Sequence, residues 1–191
     1  MKFIDKTTIK IDRELSELDH FALDFIDILK KHTKYVIVSG YVAILLGRAR
    51  ASEDIDVIIP KIDFLIFQSL YKDIKKNGYY CINAEKDLDI FEYLKDNLAV
   101  RFARKNTMIP NIEFKWTKNE FDEISLKNSI EINIGKFSIC VSQLEMQIAF
   151  KEMVLRSPKD LDDALYIKDV AKEHLDFKLI EKYKEMLYGF Y

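Results

Sequence analysis

Asp54 and Asp56 stand two residues apart in Asp54-Ile55-Asp56-Val57-Ile58-Ile59, where acidic and apolar residues alternate before β-branched ones take over. On a strand, side chains at i and i+2 share a face, with Cα atoms roughly 6.5 to 7 Å apart, so both carboxylates reach one metal cluster. Phosphoryl and nucleotidyl transfer use such a pair. Mg²⁺ (or Mn²⁺) bridges triphosphate oxygens and, in two-metal sites with ions ~3.5 to 4 Å apart, activates the attacking hydroxyl. Taken alone, an Asp-x-Asp is more commonly a solvated strand face, and the segment upstream shifts that reading. Tyr35-Val36-Ile37-Val38 reads as a buried strand, Ser39-Gly40 as a turn, and Tyr41 to Leu46 as a short helix stopped at Gly47. That order sets backbone N–H groups at a helix N-terminus, where phosphate binds favourably, and Gly40 permits close approach of a triphosphate.

A third acid commonly completes such a site. Asn111 to Thr117 alternates Ile112, Phe114 and Trp116 with Glu113 and Lys115, a strand with one packed and one polar face, and Glu113 is the preferred third acid. Glu131, on a similarly alternating strand beside a hairpin, is the competitor and is also explained as a solvated edge residue. Lys115 joins the candidate nucleotide-binding residues with Ser39, Gly40, Arg48, Arg50, Lys151 and Lys159. Arg48 and Arg50, just upstream of the acid pair, suit either phosphate contact or pairing with nearby acids. Lys151 falls on the apolar stripe of Leu144, Ile148 and Leu155, so its ammonium either snorkels to water or meets a phosphate in a cleft. Asp160 reads as a helix-capping residue and Lys159 as exposed, with Asp163 following on the same helix.

These residues need a scaffold, and the chain is long enough to supply one. At 191 residues, with apolar residues near half and charged residues near a third, it suits a compact fold that buries a substantial core. The net charge of −2 provides no polybasic field of the kind that dominates non-specific nucleic-acid binding. Cys81 and Cys140 are far apart in sequence and lack His or Cys at ligand spacing, so neither a disulfide framework nor a zinc site is indicated, and a reducing cytoplasm fits best. No signal peptide and no membrane-spanning run is recognisable, and neither a Walker-A loop nor a dinucleotide fingerprint occurs. His20, His32 and His174 are scattered.

The spacing predicts a first helix from near Ser16, with Asp19 completing a capping box and Phe21, Phe25, Ile28 and Leu29 buried. Ile62 to Asn77 reads as a helix ending at Gly78. Tyr79 to Ile82 and Ala99 to Ala103 read as short strands, with Asp87 to Leu94 ambiguous between them. Ile130 to Ile134 and Phe137 to Val141 form a hairpin around Gly135-Lys136. From Ser142 the pattern is helical, with capping boxes at Ser142/Glu145 and at Ser157/Asp160, the latter with Pro158 in first position. The expected organisation is a core over 1–141 with an N-terminal helix, and a C-terminal helical segment over 142–191 packed on it.

Val38-Ser39-Gly40-Tyr41-Val42-Ala43, Glu53-Asp54-Ile55-Asp56-Val57, Asn111-Ile112-Glu113-Phe114-Lys115, and Lys151 with Arg156-Ser157-Pro158-Lys159-Asp160 resemble the DNA polymerase β-like nucleotidyltransferase superfamily. The resemblance covers roughly Lys34 to Ile167, and its order of pieces is similar to the small prokaryotic branch that includes AbiEii-type toxin nucleotidyltransferases. It implies an α/β (α+β) fold with a mixed β-sheet, flanking helices and a C-terminal helical segment. It further implies Mg²⁺ on Asp54, Asp56 and Glu113, NTP phosphates over Ser39 and Gly40, and a phosphate contact from Lys151. Ser39-Gly40 departs from the family's usual Gly-Gly or Gly-Ser, which moves or removes the phosphate-facing hydroxyl. The expected function is transfer of an NMP from an NTP to an acceptor hydroxyl on RNA or tRNA, a protein or a small molecule, with an antitoxin as a possible partner. The alternative is a catalytically inactive module that binds nucleotide or a partner.

Overall fold

The computed structural model describes residues 1–190. Nine strands form one mixed sheet: β1 (Lys2–Phe3), β2 (Thr8–Ile11), β3 (Val36–Val38), β4 (Asp54–Ile59), β5 (Tyr79–Cys81), β6 (Val100–Arg104), β7 (Asn111–Trp116), β8 (Ile130–Ile134) and β9 (Phe137–Val141). Their order across the sheet is β1-β2-β8-β9-β3-β4-β7-β6-β5. The helices are α1 (Glu17–Leu29), α2 (Gly40–Leu45), α3 (Phe64–Lys76), α4 (Asp87–Lys95), α5 (Glu120–Lys127), α6 (Leu144–Phe150), α7 (Pro158–Val170) and α8 (Phe177–Phe190). A π-helical turn at Lys151–Leu155 prolongs α6. The architecture is the mixed sheet with flanking helices that the sequence leads one to expect.

Alternation along β4 and β7 divides the sheet into two unlike faces. Ile55, Val57 and Ile59 are fully buried beside their register partners Ile112, Phe114 and Trp116. This apolar face continues through Phe102, whose ring packs against Phe114, against Phe25 of α1 and against Tyr71 of α3. The opposite face carries Asp54, Asp56 and Ile58 beside Asn111, Glu113 and Lys115.

Local signals account for most elements. Ser16 caps α1 in a complete capping box with Asp19, and Ser157 caps α7 ahead of Pro158. Gly135 takes a left-handed φ of 58° in the two-residue turn that closes β8 on β9. The segment 87–94 that alternation leaves ambiguous is helical, as α4, with acids in its first turn and Lys95 in its last.

Other expectations are corrected. Gln143, not Ser142, precedes α6; the Ser142 hydroxyl pairs with Ser125, and Glu145 instead accepts the backbone N–H of Asp176. β1, β2 and α5 go beyond what the local sequence pattern predicts. The first two gain their identity from pairing, β2 lying parallel to β8, which a local pattern does not reveal. Leu144, Ile148, Ala164, Ile167, Ala171 and Ile180 of the C-terminal helices join the same core cluster as the sheet, while Phe121, Met146, Ala149, Tyr183 and Leu187 form a smaller one.

Candidate functional site: three acids on adjacent strands

Register brings the acids together. Val38 of β3 lies opposite Asp56 of β4, and Asp56 lies opposite Glu113 of β7, so the Ser39 turn, the acid pair and Glu113 occupy three neighbouring strands. Glu131 sits on β8, separated from β4 by β9 and β3, and flanked by β2 rather than at an edge. Paired carboxylates on one face repel each other, and the surrounding cations answer that repulsion. Lys115 Nζ donates to Asp56 Oδ1 at 3.3 Å and lies 3.9 Å from Glu113 Oε1. Arg101, opposite Glu113 on β6, donates to its Oε2 at 2.7 Å. Burial pushes the Asp56 carboxyl above the ordinary carboxylate range; Lys115 opposes the shift, and Glu113 and Asp54 reinforce it.

The Ser39 backbone has φ 65° and ψ −140°, a region that side chains other than glycine's rarely adopt. Its hydroxyl does not cap α2, and the residue lines a cavity of about 260 Å³. The cavity runs from Asp56, Glu113 and Lys115 to Phe121, Met146 and Gln147. α2 spans six residues, so its dipole is short, and the approach at Gly40 is already taken: a Cβ there would meet the Arg50 guanidinium at 2.8 Å.

The basic candidates gather beside the acids in a second cluster centred on Asp163, which is fully buried. Arg48, Arg50 and Lys151 all donate to its carboxylate, Arg50 at 2.5 Å and Lys151 at 2.8 Å. Lys151 also reaches Asp160 Oδ1 at 3.1 Å and has no solvent exposure, so its ammonium neither snorkels nor stands open to a phosphate. Burial pulls its ammonium below the usual lysine range, against the raising effect of Asp160. The Lys159 side chain is exposed, and its carbonyl accepts from Arg48 at 3.1 Å.

Sequence reasoning missed Arg101, Asn111 and Gln147. Alternation in Val100-Arg101-Phe102 gives Arg101 a polar face, but its pairing with Glu113 depends on strand order. Asn111 is the register partner of Asp54; its Nδ2 donates to the Glu53 carbonyl at 3.3 Å, while its buried Oδ1 has no partner.

That orphaned oxygen bears on whether a metal fits. Asp54, Asp56 and Asn111 offer hard oxygen donors, and Asp56 has Lys115 as its cationic partner, at 3.3 Å, while Asp54 and Glu113 add negative charge beside it. Among the described residues, however, no three His, Cys, Asp or Glu side chains converge as a ready-made metal cage. Mg²⁺ needs none, because it characteristically takes one or two carboxylates together with substrate phosphates. Asp54 and Asp56 fit that pattern; Glu113 is held by Arg101 and Lys115.

No family model matches the chain, and no curated protein matches it in sequence. Among solved structures, it is similar to an antigenic nucleotidyltransferase-like protein from Paracoccidioides brasiliensis, with TM-score 0.53 and 15% identity over 91% of this chain and 88% of that one. The chain has a nucleotidyltransferase-like fold. A second similar structure is JHP933 from Helicobacter pylori, with TM-score 0.43 and 19% identity, covering 87% of this chain and 72% of that one. In this nucleotidyltransferase-like sheet, β4 and β7 carry the three acids, with β3 and the Ser39 turn alongside. No helix among the described residues is long and apolar enough to cross a membrane.

Proposed function

We propose that the chain transfers a nucleoside monophosphate from an NTP to an acceptor hydroxyl. The observation that carries this reading is the in-register placement of Asp56 beside Glu113, with Asp54 on the same strand face and the strained Ser39 turn at the adjoining strand end. Asp54 and Asp56 would hold Mg²⁺ or Mn²⁺, which supplies neutralisation of phosphate charge when bound. Glu113, fixed by Arg101, takes the proton of the acceptor hydroxyl as that oxygen bonds to the α-phosphorus. The bond to the bridging oxygen breaks, and pyrophosphate leaves with the electron pair. Lys115, paired with Asp56 at 3.3 Å, would supply the cation that meets a phosphate at this site.

The resemblance to the superfamily supports an acceptor among RNA or tRNA, proteins and small molecules, and the resemblance to its AbiEii-type branch supports a toxin role with an antitoxin partner. Incubation with each α-labelled NTP, Mg²⁺ or Mn²⁺, total RNA and cell lysate tests the reading. Label is expected on one acceptor class and lost in Asp54→Ala and Asp56→Ala; incorporation unchanged in both variants overturns it.

One arrangement favours a second reading, a catalytically quiet module that binds nucleotide or a partner. Arg48, Arg50 and Lys151 are all committed to carboxylates of α7, leaving fewer cations for a triphosphate. Calorimetry separates the two: NTP binding without turnover over RNA and protein acceptors supports the quiet module.

A further inference from the structure

The cavity beside the acids has a polar group whose partner is missing. Gln147 of α6 lines it and is 5% exposed, yet among the described residues its carboxamide makes no hydrogen bond. Several other polar groups of the lining are occupied: Ser142 Oγ donates to Ser125 Oγ at 3.3 Å, and the Asp122 carboxylate accepts the Lys118 N–H at 2.9 Å. Among the described residues the sealed side-chain atoms without a partner are Asn111 Oδ1 and Trp116 Nε1, so the unpaired Gln147 carboxamide is open to the cavity, where a ligand with matching donors and acceptors would take the place of water.

The shape and lining narrow the ligand. At about 260 Å³ the cavity lies just under the ~300 Å³ at which drug-sized pockets begin, which is room for a flat base with part of its sugar rather than a whole NTP. Phe121, Met146 and Phe150 supply aromatic and thioether surface suited to a planar ring. The polar end opens on Asp56, Lys115 and the Ser39 turn, where the phosphates belong. A planar carboxamide presents one donor and one acceptor side by side, the complement of an adenine edge with its amino group beside a ring nitrogen.

We infer that this cavity is the nucleobase subsite and that Gln147 is the residue that reads the base, with adenine preferred. The inference rests on the nucleotidyl-transfer reading, since it assumes that the phosphates lie at the acid end.

Calorimetric titration of the whole chain with ATP, GTP, CTP, UTP and inorganic tripolyphosphate, each with Mg²⁺, tests it. ATP is expected to bind tighter than the other three by roughly 5- to 150-fold, the span of one good bidentate base contact. Gln147→Met, which conserves volume, and Gln147→Leu, which removes donor and acceptor without adding charge, should each collapse that advantage to within about twofold while tripolyphosphate affinity stays unchanged. An ATP advantage absent from the wild type, or retained in both variants, overturns the inference and leaves the transfer reading standing. If neither tripolyphosphate nor any NTP binds, the transfer reading fails and takes this one with it. Circular dichroism of each variant separates a lost contact from a lost fold, and the two variants need not share a folding defect.

Discussion

Lys151 donates to Asp163 at 2.8 Å, and neither side chain has solvent exposure. Lys151 opens the π-helical turn after α6 and Asp163 lies on α7, while Arg48 and Arg50 reach the same carboxylate from the segment before β4. One acid therefore ties the C-terminal helices to the strand that carries Asp54 and Asp56.

Asp163→Asn should consequently cost about 3 to 5 kcal/mol, because it leaves buried cations facing a neutral amide. Urea unfolding reads this directly. A change under about 1 kcal/mol would mean that Arg48, Arg50 and Lys151 find other partners. Gly40→Ala should weaken the same cluster from the opposite side by about 1 to 3 kcal/mol, since the new methyl group meets the Arg50 guanidinium at 2.8 Å.

Ser39→Gly should stabilise the fold by about 1 kcal/mol, because relief of the backbone strain exceeds the added chain entropy of glycine. Thermal melting checks it, and a lowered midpoint would show that the serine side chain contributes more than its backbone costs.

Asp56 yields a pH dependence of definite sign. Its carboxyl is raised in the folded state by burial, so its contribution to stability is complete below the unfolded value near 3.8 and is lost as pH rises through the raised folded value. Asp56→Asn should therefore be more stable than the wild type at neutral pH, with the difference shrinking toward pH 4. Paired urea midpoints at the two pH values measure it; an Asn variant less stable at neutral pH would contradict the expectation.

Asp19 behaves in the opposite sense. Burial raises its carboxyl, but Arg13, Ser16 and the Tyr41 hydroxyl outweigh that and hold it down to about 2. Its stabilisation, about 2 kcal/mol from the shift relative to 3.8, is present above pH 4 and lost as pH falls toward 2. Acid titration of the wild type against Asp19→Asn should show that extra loss only in the wild type. Tyr41 follows the Ser39-Gly40 turn directly, so the variant should also loosen α2.

Local sequence determined a good deal of this protein. The capping box at Ser16 and Asp19, the Gly135-Lys136 hairpin and the alternation of β4 and β7 each depend on residues a few positions apart, and each is found as the pattern implies. The same alternation put Asp54 with Asp56, and Glu113 with Lys115, on shared strand faces, because side chains two apart on a strand always point the same way.

Tertiary structure decided which faces meet and which charges are spoken for. That Glu113 and not Glu131 lies beside Asp56 follows from the order β3-β4-β7, a choice among long-range pairings that no local period encodes. Periodicity put Lys151 on an apolar stripe, yet only the approach of α7 supplied Asp160 and Asp163 to hold its charge. The place of Gln147 likewise depends on tertiary packing, because residues of α5, α6 and the sheet together line the cavity that its unpaired amide faces. Burial and partnership are properties of the packed whole, and a buried polar group shows its function by what its surroundings leave unsatisfied.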